Sequence, residues 1–106
     1  MRKNQTAIAA APVSPASIAR LPSEVDHLLN CLAEQQIDQL AQHLHRLKGT
    51  AGQFRFAEIN KAATLIESEI KRGAEVEVLD SMVHGLVSLI RGTKGYDHTR
   101  EKMAIG

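Results

Sequence analysis

The 106-residue sequence has no tryptophan, a single tyrosine, two phenylalanines and a single cysteine. So few aromatic rings leave little for nucleic-acid bases to stack on. Charge of one sign does not accumulate either. Thirteen Lys and Arg against twelve Asp and Glu give a formal net charge of +1 with the signs interspersed, which is not the footprint of a nucleic-acid binder. Cys31 has no second cysteine to bond, which excludes a disulfide framework, fits a reducing compartment and leaves it as a small hydrophobe at the edge of a core. No apolar run approaches the roughly 20 residues needed to cross a bilayer. The opening "MRKNQTAIAAAPVSPASIAR" starts basic, but Pro12 and Pro15 interrupt its short apolar stretch, which makes it a poor signal peptide. These absences predict a soluble cytoplasmic protein with neither a nucleic-acid nor a membrane partner. The length predicts one domain, too small to add a nucleotide-binding lobe to a catalytic one. No Gly-rich nucleotide loop of the Walker kind is present, so any chemistry must be simple or shared with a partner.

What the sequence does contain is helical periodicity. Residues 1–21, rich in Ala, Pro and Ser, read as a mobile tail or a short extra N-terminal helix. A bundle is predicted over 22–94. In "LPSEVD", Ser23 and Asp26 have the form of a capping box, and Val25, Leu28, Leu29 and Leu32 then recur at helical spacing as far as "AEQQ". Ile37, Leu40, Ala41, Leu44, Leu47, Ala51 and Phe54 form a long second stripe. After "FRF", a third stripe of Ile59, Ala62, Ala63, Ile66 and Ile70 runs to Gly73, placed as a C-terminal cap behind Lys71 and Arg72. Leu79, Met82, Val83, Leu86, Val87 and Ile90 define a fourth, ended by "GTKG" at 92–95. The segment 95–106 reads as a polar, frayed tail with Met103 and Ile105 docking weakly. Four amphipathic helices on short connections predict an all-α, antiparallel up-and-down four-helix bundle.

The second stripe carries "HLHRLKGTAGQF", residues 43–54. On a wheel of about 100° per residue, Lys48 lies about 60° from the middle of the apolar face, His45 and Gly52 about 100° to 120°, and Gly49 about 160°, with His43 on the other flank. His45 should therefore be exposed beside a glycine-lined strip. Two glycines inside a helix cost about 2 kcal/mol relative to alanine. Gly49, one turn beyond His45, removes bulk where a side chain would obstruct an approach to the imidazole. Lys48 can reach a group attached to His45, its stem lying along the edge of the core. An accessible imidazole, a nearby cation and cleared space suit phosphoryl transfer to histidine: the neutral ring is the nucleophile and the lysine a point charge for the phosphoryl oxygens. His43 and His45 point about 200° apart and cannot share one ion. His27, His84 and His98 have no ligand spacing along the chain, so no metal site is predicted.

"HRLKGTAG", residues 45–52, resembles the phosphorylation-site signature of histidine-containing phosphotransfer (HPt) domains, and "AATLIESEIKRG" resembles the helix that follows it in that family. The likeness covers roughly 24–92 and is nearest to the phosphoacceptor domain of chemotaxis-type histidine kinases. It implies that His45 is phosphorylated and that a carboxylate at Glu67 hydrogen-bonds the imidazole. On the wheel Glu67 lies at the core's flank, where it can face His45 across antiparallel helices. Two positions depart from the pattern. Arg55 stands where the family usually has glycine, and Thr64 replaces a polar ring found in some relatives.

The resemblance implies a carrier and not an enzyme with its own ATP site: His45 receives a phosphoryl group from a receiver-domain aspartate and passes it to another. Response-regulator receiver domains and a histidine kinase are the implied partners. The carrier needs no cofactor of its own, since Mg²⁺ belongs to the receiver. Gly49, Gly52, Arg46 and Arg55 are expected at the docking surface, where Arg46, Lys48, Arg55 and Lys61 suit an acidic receiver pocket. A monomer is expected, and Met1 with a frayed C-terminus leans toward a free-standing protein. The alternatives are the phosphoacceptor domain of a kinase, labelled by an ATP-binding domain, and a helical adaptor in which the histidine is incidental.

Overall fold

The computed structural model describes residues 15–53 and 57–102, with side chains over 18–49 and 57–102. Four helices follow in order: α1 Pro15–Ala33, α2 Ile37–Gln53, α3 Ala57–Lys71 and α4 Val76–Arg91, then a short 3-10 helix, His98–Arg100. Helix α1 packs on α2 and α4, and α3 packs on α2 and α4. Each helix thus touches two neighbours around one core, as an up-and-down bundle requires.

The core is aliphatic. Leu21, Val25, Leu28 and Cys31 from α1 meet Leu40, Leu44 and Leu47 from α2, Ile59, Ala63 and Ile66 from α3, and Leu79, Val83, Leu86, Val87 and Ile90 from α4. Apart from Leu21 and Cys31, these residues fall on the expected stripes. Leu29, Leu32, Ile37, Ala62, Ile70 and Met82 are only partly buried at their edges. Burial pushes the Cys31 thiol pKa up, so the group stays protonated and unreactive. Ala51 and Phe54 lie outside the described side chains.

Sequence chemistry accounts for the ends of the helices. Gly73 adopts a left-handed backbone, φ 78°, with the Gly73 amide donating to the Ile70 carbonyl and the Ala74 amide to the Glu69 carbonyl. That is the Schellman closure expected of a glycine cap. The turn between α1 and α2 has the same hydrogen-bond pattern around Gln35, at φ 53° without a glycine. Acidic residues Asp38, Glu58 and Glu77 sit in the first turns of α2, α3 and α4, and Lys71 and Arg91 in the last turns of α3 and α4, each favourable to the helix dipole.

Two expectations are corrected. Ser23 is not a helix cap: α1 starts at Pro15 and runs through Pro22, so residues 15–21 belong to the first helix and not to a separate short one. Proline in a helix interior removes a hydrogen bond and costs about 3 kcal/mol. Here Leu21, 1% exposed, extends the face of Val25 and Leu28 by one turn, and its burial offsets part of that cost. The second correction concerns the segment after α4, which is not frayed over 96–102. Glu101 is 2% exposed and accepts from Arg91 Nε at 2.9 Å, from Arg91 Nη2 at 2.7 Å and from the Tyr96 hydroxyl. The Lys102 amide then donates to the Asp26 carboxylate on α1 at 2.9 Å. Residues 1–14, Met103 and Ile105 lie outside the described residues.

Candidate functional site

Leu44 and Leu47 anchor the inner face of α2 and turn His45 outward, where its side chain is 74% exposed. The core residues Ala63 and Ile66 similarly set the roll of α3 and bring Glu67, 14% exposed, to the seam between the two helices. Glu67 Oε2 lies 3.5 Å from His45 Nδ1, a long contact. Lys48, one-third exposed, places Nζ 2.7 Å from Glu67 Oε1. This close ion pair leaves that oxygen without a well-aligned hydrogen bond. Burial alone would raise the Glu67 pKa, but the Lys48 ammonium, with His45 behind it, outweighs burial and holds the carboxyl below its ordinary range.

His45, Lys48 and Glu67 are therefore gathered at one place. The carboxylate faces Nδ1, and a proton held on that nitrogen would leave the lone pair of Nε2 free. The sequence reading assigned Lys48 to an incoming group, and its pairing with Glu67 is visible only in space. The pair sets a polarity: the cation neutralises the carboxylate while keeping its ammonium within a side-chain swing of the imidazole.

The surface around His45 is low. Gly49 is exposed, and a Cβ built there would meet no atom within 4 Å, so the glycine is not required for helices to pack closely. On the other side, Ala41, Gln42, His45 and Arg46 line a shallow hollow. Ala41 and Gln42, four and three residues before His45, were not among the expected docking residues, although i−4 and i−3 spacing puts them beside it. Gly52 lies in the last turn of α2, its surroundings outside the described side chains, and Arg55 lies outside the described residues. Thr64 bonds back to the Asn60 carbonyl at 2.8 Å and makes no described contact with the site. His43 points the other way, half-buried, its ring stacked on His27 of α1 at 4.6 Å between centroids.

The family model for the Hpt domain matches residues 13–94. The chain belongs to the Hpt domain family. Its helical bundle is the architecture that the resemblance implied. At the level of the family, Hpt domains carry phosphoryl groups on histidine in phosphorelays, serve as carriers more than catalysts, and interact with receiver domains and kinases. Comparison with curated proteins and with solved structures gave no significant match. Among the described residues of this Hpt domain, no helix is long and apolar enough to cross a membrane.

Proposed function

We propose that this Hpt domain carries the phosphoryl group on His45 Nε2, receiving it from the aspartyl phosphate of a response-regulator receiver and returning it to a second receiver aspartate. The observation that carries the reading is the His45–Glu67–Lys48 cluster beside the open surface at Gly49. Glu67 holds the proton side of the imidazole, and Nε2 attacks the phosphorus in line as the P–O bond to the aspartate breaks. The carboxylate leaves as the anion, and the ring takes the phosphoryl group. Lys48 then shares its charge between Glu67 and the new phosphoryl oxygens. Mg²⁺ is proposed on the receiver, which supplies most of the catalysis, and Arg46 and Lys61, both exposed, face its acidic pocket.

The test is to incubate the protein with a phosphorylated receiver and look for acid-labile, alkali-stable phosphate on the chain. Absence of such label with several receivers, and with a histidine kinase plus ATP, would leave the adaptor reading. Glu67 against Nδ1 also favours a second reading, the phosphoacceptor of a kinase. Label from ATP and an ATP-binding domain, with none from any receiver, would establish that one instead.

Lys48→Ala should slow transfer and shorten the phosphohistidine lifetime. It should also cost about 1 kcal/mol of stability, because the partly buried pair with Glu67 is lost. Equal rates and lifetimes in the variant and wild type would return Lys48 to a structural role. Glu67→Gln should be milder, weakening the orientation of the ring.

Gly49→Gln separates docking from folding. With open space around the position, a better helix former should stabilise the isolated protein by up to about 1 kcal/mol, while a side chain one turn from His45 depresses transfer. Gly85, exposed in α4 and equally uncrowded, is the control: Gly85→Ala should stabilise by a similar amount and leave transfer unchanged. Normal transfer by Gly49→Gln would remove Gly49 from the docking surface.

A further inference from the structure

On the flank of α2 opposite His45, three side chains converge across the α1–α2 contact. Glu24 and His27 stand three apart on α1, so they share a helix face, and His43 comes from α2. One potential ligand atom from each lies within 4.8 Å of the others. Donors around a tetrahedral Zn²⁺ sit about 3.4 Å apart, given bonds of about 2.0–2.1 Å, so small rotations of the exposed His27 and the half-buried Glu24 would close the set. A Glu-x-x-His pair on one helix with a further donor from its neighbour is also how helical bundles build metal sites.

Glu24 Oε1 and His43 Nδ1 are both buried without a hydrogen-bond partner. Buried polar atoms are ordinarily paired within the fold, so both are open to a ligand. The charged groups that face the His43 ring are Arg46 on its own helix and Glu24 across the contact, with His27 beside it. Arg46 is a cation that opposes a metal here, and Glu24 is the anion that favours one.

We infer that Glu24, His27 and His43 form a binding site for a divalent transition-metal ion of the Zn²⁺ class, tying α1 to the helix that carries His45. Two imidazoles and one carboxylate are borderline-to-hard donors suited to Zn²⁺, with the remaining coordination left to water. Spacing along the sequence could not show the site, because its third ligand comes from another helix. The ion faces away from His45 and Glu67, so its role is to clamp the bundle.

The experiment is a calorimetric titration of the full chain with ZnCl₂ in chelator-treated buffer, paired with thermal melts. Wild type should bind one Zn²⁺ per chain and melt at a higher temperature with Zn²⁺ than without it, because the ion binds the folded state. His27→Ala, His43→Ala and Glu24→Gln should each weaken binding at least about tenfold and abolish the shift in melting temperature. His27 is exposed, so its variant keeps the fold and the metal-free melt of wild type even if His43→Ala does not. His84→Ala should bind as wild type does, although His84 and Asp80 form an exposed pair. Three results would each overturn the site: no saturable one-to-one binding, undiminished binding by His27→Ala, or loss of binding in His84→Ala or His45→Gln. In any of these cases the cluster is a stacked imidazole pair bridged by water.

Discussion

His45→Gln should incorporate no acid-labile phosphate from a phosphorylated receiver, while its thermal melt stays within about 0.5 kcal/mol of wild type. The two halves of that result have separate causes. The side chain is 74% exposed, and its one described polar contact is the long approach of Nδ1 to Glu67, so removing it forfeits almost no burial. Glutamine keeps the helix but has no nucleophilic nitrogen, so transfer has no acceptor. The other histidines are poorly placed to substitute. His43 is half-buried against His27, and His84 pairs with Asp80 in the outer face of α4. Undiminished label on the variant, mapped to any of them, would remove His45 from the centre of the mechanism.

Glu101→Ala should lower stability by about 3 kcal/mol, a fall in Tm on the order of 15 °C for a domain of this size. The carboxylate is buried and accepts from both Arg91 and Tyr96. Deleting it leaves a partly buried guanidinium and a phenol without their partner. Hydrogen bonds from Arg91, opposed by burial and helped by Tyr96, hold the Glu101 carboxyl below its ordinary 4.5. Glu67 is likewise held low. A carboxyl whose folded pKa is depressed contributes stability that is fully present above the unfolded value and is lost as pH falls through the folded one. Wild type should therefore lose stability as the pH drops below about 4.5, and Glu101→Gln should show a shallower loss. A chemical denaturation series across pH 3 to 7 reads both. If Glu101→Ala unfolds within 1 kcal/mol of wild type, the segment 96–102 is an appendage and not part of the fold.

Those two residues were unequally visible in advance. His45 stood out because local spacing is enough to find it: a cation at i+3 and a glycine at i+4 lie on the same exposed strip of any helix. Glu101 had no such signal. A lone carboxylate in "YDHTREKMAIG" looks solvated until Arg91 and Tyr96 close on it, and nothing in its neighbours' periodicity marks it. Ser23 failed for a related reason. Proline is a strong local breaker, and reading "LPSE" as a helix start gave the local rule precedence over the buried Leu21, which continues the stripe through it.

Taken alone, the sequence determined the helices and their inward faces, because a 3.6-residue period in Leu, Ile, Val and Ala admits one amphipathic solution per segment and short links force neighbours to pack. It also determined that His45 is exposed beside Lys48 and Gly49, since all three lie within one turn. Tertiary structure decided everything that joins one helix to another. It set Glu67 against His45 and Lys48, took the lysine's charge for the carboxylate, brought Glu24 and His27 to His43, and folded Glu101 back onto Arg91. These contacts depend on the roll and offset of packed helices, which the jigsaw of core side chains sets to within about an ångström and which no pattern along a single chain segment encodes.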